Sequence, residues 1–158
     1  MKKILIEFKP YIIILIVVLL IRSFIATPVR VQGDSMRKNL NDGELLLLFR
    51  MAKIERYDIV VMKEKSDDII KRIYGLPGET IEIKNKKIYI NNELIDDSFA
   101  YGETLEEMKI ELKEDEYFVL GDNRLISKDS RSFGTVKKEN IKGQVIFRFF
   151  PLTKIKSL

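Results

Sequence analysis

Every residue from Tyr11 to Ile21 is apolar, and after Arg22 and Ser23 the apolar character resumes as far as Val29. Read as one helix, residues 11–29 would extend about 28 Å, close to the hydrocarbon thickness of a bilayer. The apolar positions run all the way round such a helix, which argues against an amphipathic helix packed on a soluble core. Beyond Val29 the period changes to that of strands. Leu45–Phe49, Ile59–Met62, Ile69–Ile73 and Tyr117–Leu120 are short apolar runs bounded by turn-forming or charged residues. Ile81 and Ile83 alternate with Thr80 and Glu82, and Ile88 and Ile90 flank Tyr89, with turn chemistry at Asn85 and Asn91-Asn92. Met108, Ile110 and Leu112 alternate again, and Val145–Phe150 is a last strand candidate. No long amphipathic helix, internal repeat or low-complexity linker interrupts them. The pattern predicts a mainly β, antiparallel domain over residues 30–158, preceded by one membrane helix within residues 1–29.

Charge refines this picture. Lys2, Lys3 and Lys9 precede the apolar run, which predicts a cytoplasmic N-terminus, a single pass through the cell membrane and a domain on the outer side. Arg22 lies where a long side chain can snorkel to the outer interface, and Pro28 is expected where the helix ends. A cleaved leader is the competing reading, but a cut after Ala26 would place bulky Phe24 three residues before it. Residues 1–29 carry four basic side chains and Glu7, a net of +3. Of the chain's formal +4, only +1 is left for residues 30–158. That balance gives the folded domain no charge surplus for nucleic acid. The 158 residues suffice for one domain and an anchor, and 46% hydrophobic content suffices for a core.

The chain has no histidine and no cysteine, which removes a Ser-His-Asp triad, a thiol nucleophile and a zinc site of imidazole and thiolate ligands. No metal or cofactor is expected. A serine–lysine pairing stays open. Ser35 stands in Gly33-Asp34-Ser35-Met36 and Lys71 in Ile70-Lys71-Arg72. Lysine acts as a base only when neutral, and burial can bring its reference pKa of about 10.4 down by up to about 3–5 units. Ile69, Ile70, Ile73 and Leu76 supply apolar surroundings for that. Strand alternation turns Arg72 to the opposite face, where it needs a carboxylate or water. By themselves the two residues also fit a turn serine and a surface lysine.

Gly121-Asp122-Asn123-Arg124, Ser127, Asp129-Ser130-Arg131 and Phe133-Gly134 resemble the last signature box of bacterial type I signal peptidases, in the short form of the Gram-positive branch. Three further boxes stand in the right order. They are Gly33-Asp34-Ser35-Met36 with Leu40, Tyr57 to Val61, and Lys71 to Glu79. With the anchor and the closing Phe149-Phe150-Pro151-Leu152, the resemblance covers nearly the whole chain. It implies an antiparallel, partly open β-barrel and a membrane-bound serine endopeptidase that removes signal peptides from exported preproteins. In that frame Ser35 is the nucleophile and Lys71 its general base. Ser127 orients the lysine, and the Ser35 backbone N–H meets the oxyanion. The pairs Arg72 with Asp122 and Asp129 with Arg131 are scaffold. Val31, Met36, Leu40 and Ile70 would shape a pocket for a small residue at −1, and Val29, Val61 and Ile70 one for −3. The second oxyanion donor stays open, because Gly33 stands where some members have a serine. Lys38-Asn39 replaces the usual Pro-Thr, Glu44 and Glu79 replace aspartates, and Tyr57 and Tyr74 replace smaller or aliphatic residues. A catalytically silent, membrane-anchored β module that binds signal peptides or exported chains is the alternative reading.

Overall fold

The computed structural model of the chain describes residues 2–20 and 26–158. A helix, α1 (Lys2–Leu20), comes first, and Pro10 lies within it. Four strands follow: β1 (Ala26–Arg30), β2 (Leu45–Phe49), β3 (Ile59–Glu64) and β4 (Asp67–Gly75). A smaller excursion holds β5 (Thr80–Lys84), β6 (Lys87–Ile90), β7 (Glu93–Leu94) and β8 (Met108–Glu111). The chain returns through β9 (Glu116–Leu120), a single helical turn α2 (Ser130–Phe133), β10 (Val136–Lys137), the long β11 (Ile141–Phe150) and β12 (Lys156–Ser157).

The larger sheet has the order β1-β2-β11-β3-β4-β9-β10, with β12 beside β11, and the smaller one has the order β7-β6-β5-β8. Every named strand pairing is antiparallel, as the alternating pattern predicts. The sheet of β5 to β8 is the alternating Ile81/Ile83 and Ile88/Ile90 segment folded on itself. These four isoleucines are buried with Tyr74, Leu112, Phe118 and Leu120.

The N-terminal region departs from the sequence expectation. The helix already runs from Lys2 and is described to Leu20, while Ala26–Val29, read as the end of the membrane helix, belong to β1. Pro28 thus does not mark the helix end. It sits opposite Leu47 on the edge strand of the sheet, a position where its missing N–H costs no ladder bond. Arg22, Ser23 and Phe24 lie outside the described residues. Among the described residues no helix is long and apolar enough to cross a membrane.

Strand register places the chemistry. In the β3–β4 hairpin, Lys71 lies opposite Val60 and Arg72 opposite Ile59. On its other side Arg72 pairs with Leu120, the last residue of β9. The turn that follows β9, Gly121-Asp122, is thereby delivered to the flank of Arg72 and Lys71.

Candidate active site

The segment between β1 and β2 folds as a tight turn. Arg37 N–H donates to the Asp34 carbonyl at 3.0 Å and Leu40 N–H to the Met36 carbonyl at 2.9 Å. Met36 and Leu40 fasten it to the core, packed in one cluster with Val31, Leu46, Leu48, Ile59, Val61 and Val145. Full burial of such side chains is worth about 1.5–3 kcal/mol each, so the two hold the turn firmly. Gly33 enters the turn at φ +78°, in the left-handed region that favours glycine. That is a local reason why a side chain at this position would strain the backbone.

The turn presents Ser35 to β4, where Lys71 Nζ donates to Ser35 Oγ at 2.8 Å. Lys71 is only 3% exposed. Burial pulls its pKa down to about 8. Asp129 and Asp122 pull the other way, and the Arg131 guanidinium adds to the lowering. Both partners line a cavity of about 650 Å³, within the size range of ligand pockets. Val29, Val31, Met36, Val61 and Ile70, all named from the sequence, line the same cavity. Leu40 does not. It is fully buried beneath the turn and acts there as core.

Arg72 points away from the cavity, as alternation requires, and finds its carboxylate. Its Nε donates to Asp122 Oδ1 at 2.8 Å and its Nη2 to Oδ2 at 2.6 Å. The pair is almost wholly buried, with side-chain exposures of 6% and 0%. Asp129 caps α2 and accepts from the Gly121 N–H at 2.9 Å and from Arg131 Nε at 2.8 Å. Arg131 in turn donates to the carbonyl oxygens of Arg124 and Ser127. This clamp shapes the turn that carries Ser127. The Ser127 hydroxyl is buried and has no hydrogen-bond partner among the described residues. It lies against Gly121, where a Cβ would stand 2.0 Å from Ser127 Oγ and 2.7 Å from the Ser35 carbonyl oxygen. Only glycine fits that approach.

Two functional contacts were not read from the sequence. Asn123 N–H donates to the Ser35 carbonyl at 2.9 Å and Asn123 Nδ2 to the Asp34 carbonyl at 3.1 Å, so the last box holds the first. Asn123 stood within a recognised motif and was the legible one. The second, Asn39, donates from Nδ2 to Asp122 Oδ2 at 2.7 Å and to the Phe99 carbonyl at 3.0 Å. No local pattern signals a bond across 83 residues of chain. The two glutamates that replace aspartates are both engaged: Glu44 accepts from Arg148 Nη1 at 2.9 Å, and Glu79 from the Leu76 N–H at 2.7 Å.

A serine hydroxyl, an amine of lowered pKa at hydrogen-bonding distance and an adjoining cleft are the parts of an acyl-transfer site. Comparison with known proteins agrees in kind. Residues 5–150 match the family model of "Signal peptidase, peptidase S26". The chain belongs to the signal peptidase family. It is thereby a serine endopeptidase, of the signal peptidase I kind. It is 34% identical to signal peptidase I of Streptococcus pneumoniae (strain ATCC BAA-255 / R6), across 94% of each chain. To signal peptidase I P of Bacillus subtilis subsp. natto it is 37% identical, across 94% of this chain and 89% of that one. The crystal structure of a signal peptidase I from Enterococcus faecalis V583 superimposes with a TM-score of 0.54 at 30% identity. That match covers 59% of this chain and 97% of the other.

Proposed function

We propose that this signal peptidase cleaves signal peptides from exported preproteins with Ser35 as nucleophile and Lys71 as general base. The observation that carries the assignment is the 2.8 Å approach of Lys71 Nζ to Ser35 Oγ at the wall of the cavity. Neutral Lys71 takes the serine proton as Oγ attacks the carbonyl of the −1 residue. The ammonium then returns that proton to the departing amine, and water hydrolyses the acyl-enzyme. The Ser35 backbone N–H serves the developing oxyanion. Ser127, whose buried hydroxyl has no hydrogen-bond partner among the described residues, steers the lysine amine. Val31, Met36 and Ile70 bound the −1 position, and Val29, Val61 and Ile70 the −3 position. Small residues are favoured at both. The enzyme is held at the bilayer by α1, whose residues from Tyr11 to Leu19 are all exposed and apolar, with lysines on the cytoplasmic side.

The deciding experiment incubates detergent-solubilised protein with a model preprotein and reads the products by mass spectrometry beside Ser35→Ala. A single cut after a small residue, absent from the Ser35→Ala sample, is the expected result. Identical cutting by both proteins would remove Ser35 from the mechanism.

The state of Lys71 sets the pH dependence. It faces Asp122, Asp129 and Arg131 from the segment after β9, and Arg72 follows it on its own strand. Arg30 of β1, Lys63 of β3, Asp67 and Asp68 of β4 and Lys142 of β11 share its cavity. With a pKa of about 8, the base is protonated and idle on the acid side. The rate should therefore rise with pH through a midpoint near 8, about a tenth of the enzyme being active at pH 7. A pH profile of kcat/KM checks this, and a rising limb at pH 10 or above would contradict a buried base.

A further inference from the structure

Four of the positions that set this chain apart from the family pattern, Lys38, Asn39, Tyr57 and Tyr74, converge on one segment. Lys38 Nζ donates to the Ser98 carbonyl at 3.3 Å, and Asn39 Nδ2 to that of Phe99 at 3.0 Å. The Tyr57 hydroxyl donates to the Asp96 carbonyl at 3.1 Å, and that of Tyr74 to Asp97 Oδ1 at 2.6 Å. Residues 96–101, between β7 and β8, thus form a strap across the back of the site. Its Phe99 ring packs on Tyr57 and lies 4.1 Å beneath the Arg72 guanidinium.

Among these four side chains, that of Asn39 hydrogen-bonds the Arg72–Asp122 pair itself. Asn39 ends the nucleophile turn, since its N–H and that of Leu40 both close on the Met36 carbonyl. Its amide spans from that turn to Asp122 Oδ2, the oxygen that also accepts from Arg72 Nη2. Arg72 follows Lys71 on β4, so Asn39 is the side-chain bridge between the element carrying the nucleophile and the ion pair that fixes the base's strand. Its carbonyl is held too, accepting from Arg148 Nη1 at 3.1 Å. With Lys38 at φ 95°, a conformation closed to proline, the Pro-Thr pair of the family pattern could not take the same path here.

We propose that Asn39 is a positioning residue, whose amide ties the Ser35 turn to Asp122 and to the strap and so holds the nucleophile in register with Lys71. It touches neither substrate nor reacting atoms. Its loss lets the turn drift, which lowers turnover more than it weakens substrate binding, because the groove's apolar walls belong mostly to β1 with Val31 after it, β3 and β4, and only Met36 rides on the turn. Catalysis is sensitive to such drift, an ångström of misplacement costing up to about a hundredfold.

The inference rests on the serine–lysine reading above, so the wild-type protein is assayed first on the preprotein. No cutting there would refute that reading. Given an active wild type, Asn39→Ser is too short to reach either acceptor and small enough to be accommodated. It should lower kcat about tenfold or more with KM within twofold. Asn39→Gln keeps the amide on a longer stem and should recover part of that loss. A folded Asn39→Ser with wild-type kcat overturns the proposal, as does a loss appearing only in KM. Asn39→Gln no better than Asn39→Ser overturns it as well, because the amide would then not be the reason. Thermal melting of each variant separates unfolding from misalignment. Should Asn39→Ser melt below the assay temperature, the comparison is made between Asn39→Gln and wild type. A lowered kcat at unchanged KM supports the role, and a KM effect alone rejects it.

Discussion

Replacing Lys71 by alanine should reduce preprotein turnover by at least about a thousandfold while the protein stays folded. Ser35 then keeps its place on the turn but loses the only amine within hydrogen-bonding distance of its hydroxyl among the described residues. Stability should move in the opposite direction to activity. Burial lowers the lysine's pKa from 10.5 to about 8, so the unfolded chain binds this proton more tightly than the folded one. The folded state carries the cost below about pH 8, and the cost fades as pH rises towards 10.5. Lys71→Met, which fills the same space without a charge, should therefore melt higher than the wild type at pH 7. That advantage should shrink through the same interval. Single-turnover cleavage and melting curves at pH 7 and pH 10 measure both effects. Residual cleavage near the wild-type rate would show that another group deprotonates Ser35.

Asp122→Ala should be the most damaging substitution for the fold. It strands the Arg72 guanidinium, nearly all of it out of contact with water, after removal of both its bidentate acceptor oxygens. Breaking a buried pair from one side costs about 3–5 kcal/mol. Against the 5–15 kcal/mol that holds typical domains together, this is a large fraction. The same change also frees the Asn39 amide. Arg72 keeps the Tyr57 carbonyl as an acceptor and Phe99 beneath it, neither of which neutralises its charge. Urea titration of the isolated protein should show the midpoint fall with little change in slope. A variant as stable as the wild type would mean that water reaches Arg72.

Much of this architecture was legible along the chain. Period-two alternation located β5, β6 and β8, and the apolar runs located β2, β3, β4, β9 and β11, because each buries at least one face and must display that pattern. The edge strands β1 and β10, the two-residue β7 and β12 and the four-residue α2 carried too little burial or length to announce themselves. The first of these misled the reading most. Ala26–Val29 continue the apolar composition of the preceding helix, and only pairing with Phe49–Leu46 makes them a strand.

The site divides the same way. Residue types alone excluded histidine and cysteine chemistry, left a serine–lysine pairing open, and asked for a carboxylate or water beside Arg72, since these follow from what side chains can do, while the choice of Ser35 and Lys71 rested on the boxes. The four boxes carried the family. Tertiary structure alone brought Lys71 to 2.8 Å from Ser35 across 36 residues of chain, and buried the amine deeply enough to lower its pKa. It also turned Leu40 from a pocket wall into core, and made Asn39 a partner of Asp122. Distance and desolvation arise only when strands pair in register, and no local pattern encodes how far apart two remote side chains will come to rest.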